Sequence, residues 1–391
     1  MPRLFGRDWS RRELAAQAGQ LGQYAGVQLL TLGDGAGRGL RCLEFRTGTG
    51  LAFRVLVDRA FDIGPCEFRG ASLGWQSPTG LRHPGLHENA DEDGLGWLRS
   101  FSGLHVTCGL DHTLGPELET AAHYHHPHRQ AVRQPLHGRI ANTPARLTGH
   151  GERWDGDECV LWAEGEVRQA AVFGENLCLY RRVEARVGGN TFSIRDRVVN
   201  EGFSTTPHML MYHINLGHPL LDAGSRYVAP VRHTRWAAHA GRLREQGVGS
   251  VTQGGPQPGF VEQVFEHAMA AGPDGRIPMG LVNPGFDGGH GLGLAIEVDA
   301  REFPCHLQWQ NLRSGLYTMA IEPSTNHAPG KQFARERGEL IQLAAGEERR
   351  YGVDYTVLDG SAEIERFERR IASLAPHPQQ DYPTPTGRWD D

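Results

Sequence analysis

From Val27 onward, apolar residues recur at every second position. Leu51, Phe53, Val55 and Val57 alternate with smaller or polar residues after the turn sequence TGTG at 47–50. Val183, Ala185 and Val187 alternate up to Gly188-Gly189-Asn190, and Phe192, Ile194, Asp196 and Val198 alternate away from it, which predicts a hairpin. Leu294, Ile296 and Val298 repeat the pattern, as do Tyr351, Val353, Tyr355 and Val357. Successive side chains leave opposite faces of a strand, so each segment predicts one apolar face and one more polar face. Strands are therefore expected to dominate from about 27 to 358. Helix is predicted only at the two ends. Residues about 9–25 (WSRRELAAQAGQLGQYA) begin with Ser10 as N-cap, and 361–373 (SAEIERFERRIAS) are amphipathic. No helical segment separates consecutive strands, which argues against a parallel sheet, and no fixed-period repeat points to a propeller. The expected fold is all-β, a large antiparallel β-sandwich with a short N-terminal helix and a short C-terminal helix. Its expected parts are a helical extension at 1–26, a sandwich domain at 27–358, and at 359–391 a helix followed by a Pro-rich, polar, disordered tail.

Composition narrows the function classes. The 391 residues include 52 Gly and 23 Pro without periodicity, which suits many turns between short strands. Acidic residues number 46 against 40 basic, a net charge of −6, which argues against a nucleic-acid partner. No apolar run reaches the roughly 18 to 20 residues that span a bilayer, so no membrane partner is expected. The start, MPRLFGRDWSRRELAAQ, lacks a secretory apolar stretch. Six cysteines (Cys42, Cys66, Cys108, Cys159, Cys178 and Cys305) form no CxxC pair and read as reduced, packed thiols, hence an expected cytoplasmic setting.

Several polar clusters end apolar runs and offer chemistry. His213 follows Met209-Leu210-Met211, and an imidazole there holds or yields a proton near neutral pH. Its plain alternative is a buried histidine satisfied by a carbonyl. Glu322 follows Met319-Ala320-Ile321, where an unpaired carboxylate is costly to desolvate, or else forms an ordinary strand-end ion pair. His137 and Arg139 in LHGR supply a second imidazole and a bidentate donor, though Arg139 could equally pin loop carbonyls. Trp309 between Gln308 and Gln310 suits a sugar platform, with a core position as the alternative. The run HYHHPHRQ brings His123, His125, His126 and His128 together, but in a polar stretch with Pro127 and no acidic or Cys partner at ligand spacing. No metal is therefore assigned to it. P-loop, dinucleotide and nucleophile-elbow signatures are absent, and no cofactor is called for. The Gly-rich segment 285–293 reads as a turn.

Taken in order, LHGR (136–139), MYHINLG (211–217), IEPSTNHAPG (321–330) and the closing run LIQLAAGEERRYGVDYTVL (340–358) resemble the galactose mutarotase-like (aldose 1-epimerase) superfamily. LVDRAFDIG (56–64), RGASLGWQSP (69–78) and FSGLHVTCGLDHTLG (101–115) look like one aldose-epimerase-like branch of it. The resemblance spans about residues 40–358. It implies a β-sandwich with its site on the concave face, His213 as general acid on the ring oxygen, Glu322 as base on the anomeric hydroxyl, and His137 holding the sugar. Asn215 in the same motif is expected at the sugar as well. The superfamily's early Asn/Arg pocket motif is not evident, and Arg59 with Asp62 are its expected replacements. Asp222 and Asp287 are candidates for the Asp that discriminates sugar hydroxyls. The expected activity is interconversion of the anomers of an aldose or sugar derivative, by groups on opposite sides of a pyranose, in a monomer or homodimer without cofactor. The alternative is a non-catalytic carbohydrate-binding or regulatory protein on the same fold. A lyase-like activity using Tyr212 ranks last, because Tyr212 leaves the opposite strand face from His213.

Overall fold

A computed structural model describes residues 1–121, 125, 128–375 and 379–390. Two large sheets dominate, and every strand pairing within them is antiparallel. The eight-stranded sheet runs, in spatial order, Arg146–Asp155, Glu158–Ala170, Asn176–Arg186, Thr191–Asn200, Glu348–Asp359, Leu292–Asp299, Arg276–Asn283 and Arg226–Val228. The main path of the twelve-stranded sheet runs Val231–Ala238, Gln263–Met269, Cys305–Asn311, Thr318–Ser324, Thr206–Gly217, His105–Leu110, Asp62–Phe68, Leu51–Leu56, Arg41–Arg46 and Gly26–Thr31.

Alternation sets the layers. In Glu158–Ala170, buried residues fall at every second position, so one face meets the core and the other meets water. The predicted hairpin forms around Gly188-Gly189-Asn190, with Ala185 opposite Phe192 and Val183 opposite Ile194. Between the sheets, Phe45, Phe53, Phe192 and Tyr355 make a continuous aromatic stack with centroid spacings of 4.8, 4.4 and 4.4 Å. Phe53 belongs to one sheet and Phe192 to the other, so this stack joins the layers.

The strand Thr206–Gly217 departs from alternation, since all twelve residues are buried. One face packs between the sheets, and the other is covered by loops that carry Trp75, Trp97 and Phe101. This second covering is what makes the outer face of the larger sheet a site.

At the chain ends the structure corrects two expectations. The N-terminal helix is shorter than 9–25. It runs Arg11–Gln17, with Ser10 and Glu13 forming a reciprocal capping box, and a separate 3₁₀ turn spans Leu21–Gln23. Gly19 and Gly22 are poor helix formers and interrupt it. The C-terminal helix forms at Ser361–Leu374 and packs Ile364, Phe367 and Ile371 on Val282 and Leu358. The tail, expected to be disordered, is a bonded strap over its described residues 379–390. Asp381 accepts from the backbone N–H groups of Val251 and Thr252, and Trp389 packs on His327 with centroids 5.0 Å apart. A polar, Pro-rich composition suits such a strap because its anchors are hydrogen bonds rather than a periodic apolar face. No helix among the described residues is long and apolar enough to cross a membrane.

Candidate functional site

His213 and Glu322 sit on adjacent central strands of the larger sheet. The register pairs Met211 with Ser324 and Ile214 with Ile321, which sets His213 opposite Glu322. Their side chains leave the same outer face, and His213 Nε2 lies 3.2 Å from Glu322 Oε1. The two groups touch. They do not flank a sugar-sized hollow from opposite sides, which corrects that part of the expectation. The register requires this, because directly opposed residues of an antiparallel pair have neighbouring Cβ atoms.

Asn215, two residues beyond His213 on the same face, fixes the imidazole. Its Nδ2 donates to the carbonyls of Gly103 and His213, so Oδ1 must be the atom that meets His213 Nδ1 at 2.6 Å. His213 therefore carries a proton on Nδ1 and presents Nε2 to Glu322. Asn215 is fully buried by this role and is a positioning residue, not the sugar contact expected of it.

Both groups lie under an aromatic cover. Phe101, Trp309 and Trp97 hold their ring centroids 4.8, 5.4 and 5.7 Å from that of His213, and Trp75 packs behind Phe101. His213 is 4% and Glu322 3% exposed. Burial pushes the Glu322 carboxyl up to about 8, with Glu262 adding to the rise. Burial pulls His213 down to about 3, against the hydrogen bond that its Nδ1–H donates to Asn215. The contact is thus a neutral carboxyl beside a neutral imidazole rather than an ion pair, with the acidic proton of the pair on Glu322. Oε1 lies outside hydrogen-bonding geometry with His213 and has no other partner among the described residues, so it is a buried acceptor left open.

His137 shares the cover, with its ring centroid 4.5 Å from Trp97 and 5.5 Å from His213. The Leu114 N–H donates to its Nδ1, which leaves Nε2–H as a donor. Burial and the neighbouring His213 and His112 hold its pKa well below the usual range. Trp309 forms the half-exposed margin, its Nε1–H donating to Glu262.

Other expected contacts lie elsewhere. Gln308 precedes Trp309 on one strand and so points inward, where it bonds the Ser250 carbonyl and His267. Asp62 also faces the interior and binds Arg181 and Thr107. Arg139 turns away from the pair to Gln134 and the Arg133 carbonyl, pinning its loop. Arg59 lies beneath the cover, donates to the Ser100 carbonyl, and keeps Nε and Nη1 without hydrogen-bond partners among the described residues. Asp222 caps its own turn at Ala223, and Asp287 is exposed in a turn at Phe286–Gly289. Of the His-rich run, His123 and His126 lie outside the described residues, and His125 bonds Ser204. The sequence reading missed Trp97 and Phe101 as site residues. The signal was present in GWLRSF, where two aromatics sit in a Gly-containing loop segment with no alternation to bury them.

The profile of a domain of unknown function (DUF4432) matches residues 37–357. Among solved structures, a Klebsiella pneumoniae protein described provisionally as an aldose 1-epimerase is 25% identical, covering 93% of this chain and 91% of its own, with a TM-score of 0.80. A galactose mutarotase-like protein from Clostridium acetobutylicum is 11% identical, covering 85% and 98%, with a TM-score of 0.56. Galactose 1-epimerase from Lactobacillus acidophilus is 12% identical, covering 86% and 99%, with a TM-score of 0.51. These last two show the fold alone. No curated protein matches the chain.

Proposed function

The chain belongs to the DUF4432 family, and from that premise we propose that it interconverts the anomers of an aldose or sugar derivative through His213 and Glu322. One observation carries this reading. A carboxyl oxygen without a hydrogen-bond partner among the described residues lies 3.2 Å from an imidazole nitrogen of fixed tautomer, both beneath aromatic walls. The two oxygens of a cyclic hemiacetal share a single carbon, so adjacent groups serve them better than groups across the ring.

For turnover the proton must pass from Glu322 to His213 Nε2, the reverse of the placement that burial favours in the free chain, so substrate hydroxyls donating to the Glu322 carboxylate have to offset that preference. Glu322 takes the proton of the anomeric hydroxyl while His213 gives its proton to the ring oxygen. The C1–O bond to the ring breaks and the aldehyde forms. Rotation about C1–C2 and the reverse transfers close the ring with inverted configuration, and the pair recovers its single proton. Trp309 and Trp97 offer apolar faces to sugar C–H groups, and His137 offers a hydroxyl donor. Because the pair is almost sealed, substrate reaches it only when the segment carrying Trp97 and Phe101 moves aside.

Anomer exchange followed by NMR or polarimetry tests the proposal across a panel of aldoses and sugar acids. His213→Gln and Glu322→Gln should each lower the enzymatic rate by about 10²- to 10⁴-fold. With one shared proton required, kcat/KM should fall above about pH 8 as the pair loses it. Binding of a sugar with no exchange above background would favour the binding-protein reading, and rates indifferent to both substitutions would end the catalytic one.

A further inference from the structure

A second cluster lies on the same outer face, separated from the His213–Glu322 pair by Leu307. Glu266 pairs with Leu307, so Cys305, two residues earlier on its strand, leaves the face that Glu266 occupies. His327 follows the end of the strand Thr318–Ser324 and turns its ring onto both. Cys305 Sγ is 3.4 Å and Glu266 Oε1 is 2.5 Å from the same ring atom, His327 Nδ1. All three residues are buried.

The shared nitrogen decides what the cluster can do. A nucleophile–base–orienter relay needs thiol and carboxylate on opposite ring nitrogens. Here Cys305 and Glu266 both address Nδ1, and the carboxylate facing Nε2, Glu339, stands at 3.7 Å, beyond hydrogen-bond reach, so no relay is assembled. Convergence of sulfur, nitrogen and oxygen on one point is instead what a cation requires, and the three donor atoms lie within 4.8 Å of one another. The surroundings are those of a built site. Glu266 Oε2 is held by the Ala328 N–H at 2.8 Å, which leaves Oε1, the atom now on His327 Nδ1, as the one directed at the cluster. The far ring nitrogen, Nε2, lies 3.7 Å from the Glu339 carboxylate, within a small side-chain shift of the hydrogen bond that orients metal-bound imidazoles. Glu266 is faced by Arg235 at 3.7 Å and Glu339 by Arg337 at 2.8 Å, so with a thiolate at Cys305 the sulfur carries the negative charge that a divalent cation balances. Cys305 and His327 also line a cavity of about 420 Å³ together with Arg235, Glu339 and Trp389, which supplies an open fourth position.

We propose that Cys305, His327 and Glu266 form a binding site for a zinc-class divalent cation, with three protein ligands and one coordination position open to the cavity. Thiolate, imidazole and carboxylate together select such an ion over magnesium or calcium. The metal takes the place of the proton shared between His327 and Glu266, and the donors open to roughly 3.3–3.8 Å apart, the spacing that bonds of about 2.0–2.3 Å impose.

Full-length protein stripped with a chelator and titrated with cobalt(II) tests the site. One equivalent should bind with a thiolate-to-cobalt charge-transfer band in the near ultraviolet, and zinc should displace it. Cys305→Ser should abolish the band, and Glu339→Gln should weaken binding about tenfold. Absence of that band in the wild-type protein, a readout that depends on no variant folding, would overturn the proposal. So would binding that survives Cys305→Ser and disappears when His123, His125, His126 and His128 are replaced.

Discussion

At the scale of single residues, the chemistry rests on what burial does to Glu322. Its carboxyl titrates near 8 in the folded chain against an ordinary value of 4.5. Below pH 4.5 both folded and unfolded chains hold the proton. Between there and about 8 the folded chain keeps a proton the unfolded chain has released, so this group's contribution to stability is lost as pH rises through that window. Replacing it with a neutral isostere removes the loss. Glu322→Gln should match wild type in Tm near pH 5 and exceed it by several degrees near pH 9, read by thermal unfolding at the two pH values. His213 works in the other direction. Its folded value near 3 lies below the ordinary 6.5, so its contribution is lost as pH falls through that interval.

At the scale of elements, strand parity and one turn build the site. Adjacent residues on a strand cannot both face a ligand, which is why Trp309 reaches the site and Gln308 does not, and why His213 and Tyr212 part company. His137 is placed by a turn in which it and Gly138 both have positive φ, 57° and 76°. A Cβ on Gly138 would lie 2.2 Å from the Gly109 carbonyl oxygen and 2.4 Å from that of His112, and backbone cannot yield as a side chain can. Gly138→Ala should therefore cost about 3 kcal/mol in urea unfolding. Gly275→Ala, with φ 77° but open space around it, should cost only about 1 kcal/mol.

At the scale of the whole molecule, a polar knot ties the sheets together beneath the site. Arg181, fully buried, bonds Asp62 and Thr107 of the larger sheet and Asp196 of its own sheet, and the Tyr212 hydroxyl donates to Asp196 from across the interior. Tyr212 immediately precedes His213, so the knot anchors the strand that carries the imidazole. Arg181→Met leaves two buried carboxylates without their cation and should destabilise the protein by about 3–5 kcal/mol, measured by denaturant unfolding. Restoring neutrality with Asp62→Asn and Asp196→Asn in that background should recover part of the loss.

Local pattern was enough to foresee the layers. Period-two alternation marks strands, glycine marks turns, Ser10 caps a helix, and Ile364, Phe367 and Ile371 recur at helical spacing, because each of these is a property of neighbouring residues. The motif resemblance singled out His213 and Glu322, and the fold brings them within contact distance. The sequence could not say which polar residues join them. Asp62, Arg139, Arg59 and Gln308 have the chemistry of sugar ligands, but strand parity and buried charge assign them to the interior or to loops. Nor could it bring Glu266, Cys305 and His327 to one point, since they lie on separate strands and a following loop. Which residues share a face follows from the chain itself. Which faces are covered, and by what, follows from pairings between segments distant in sequence, and these fix burial, pKa and partner.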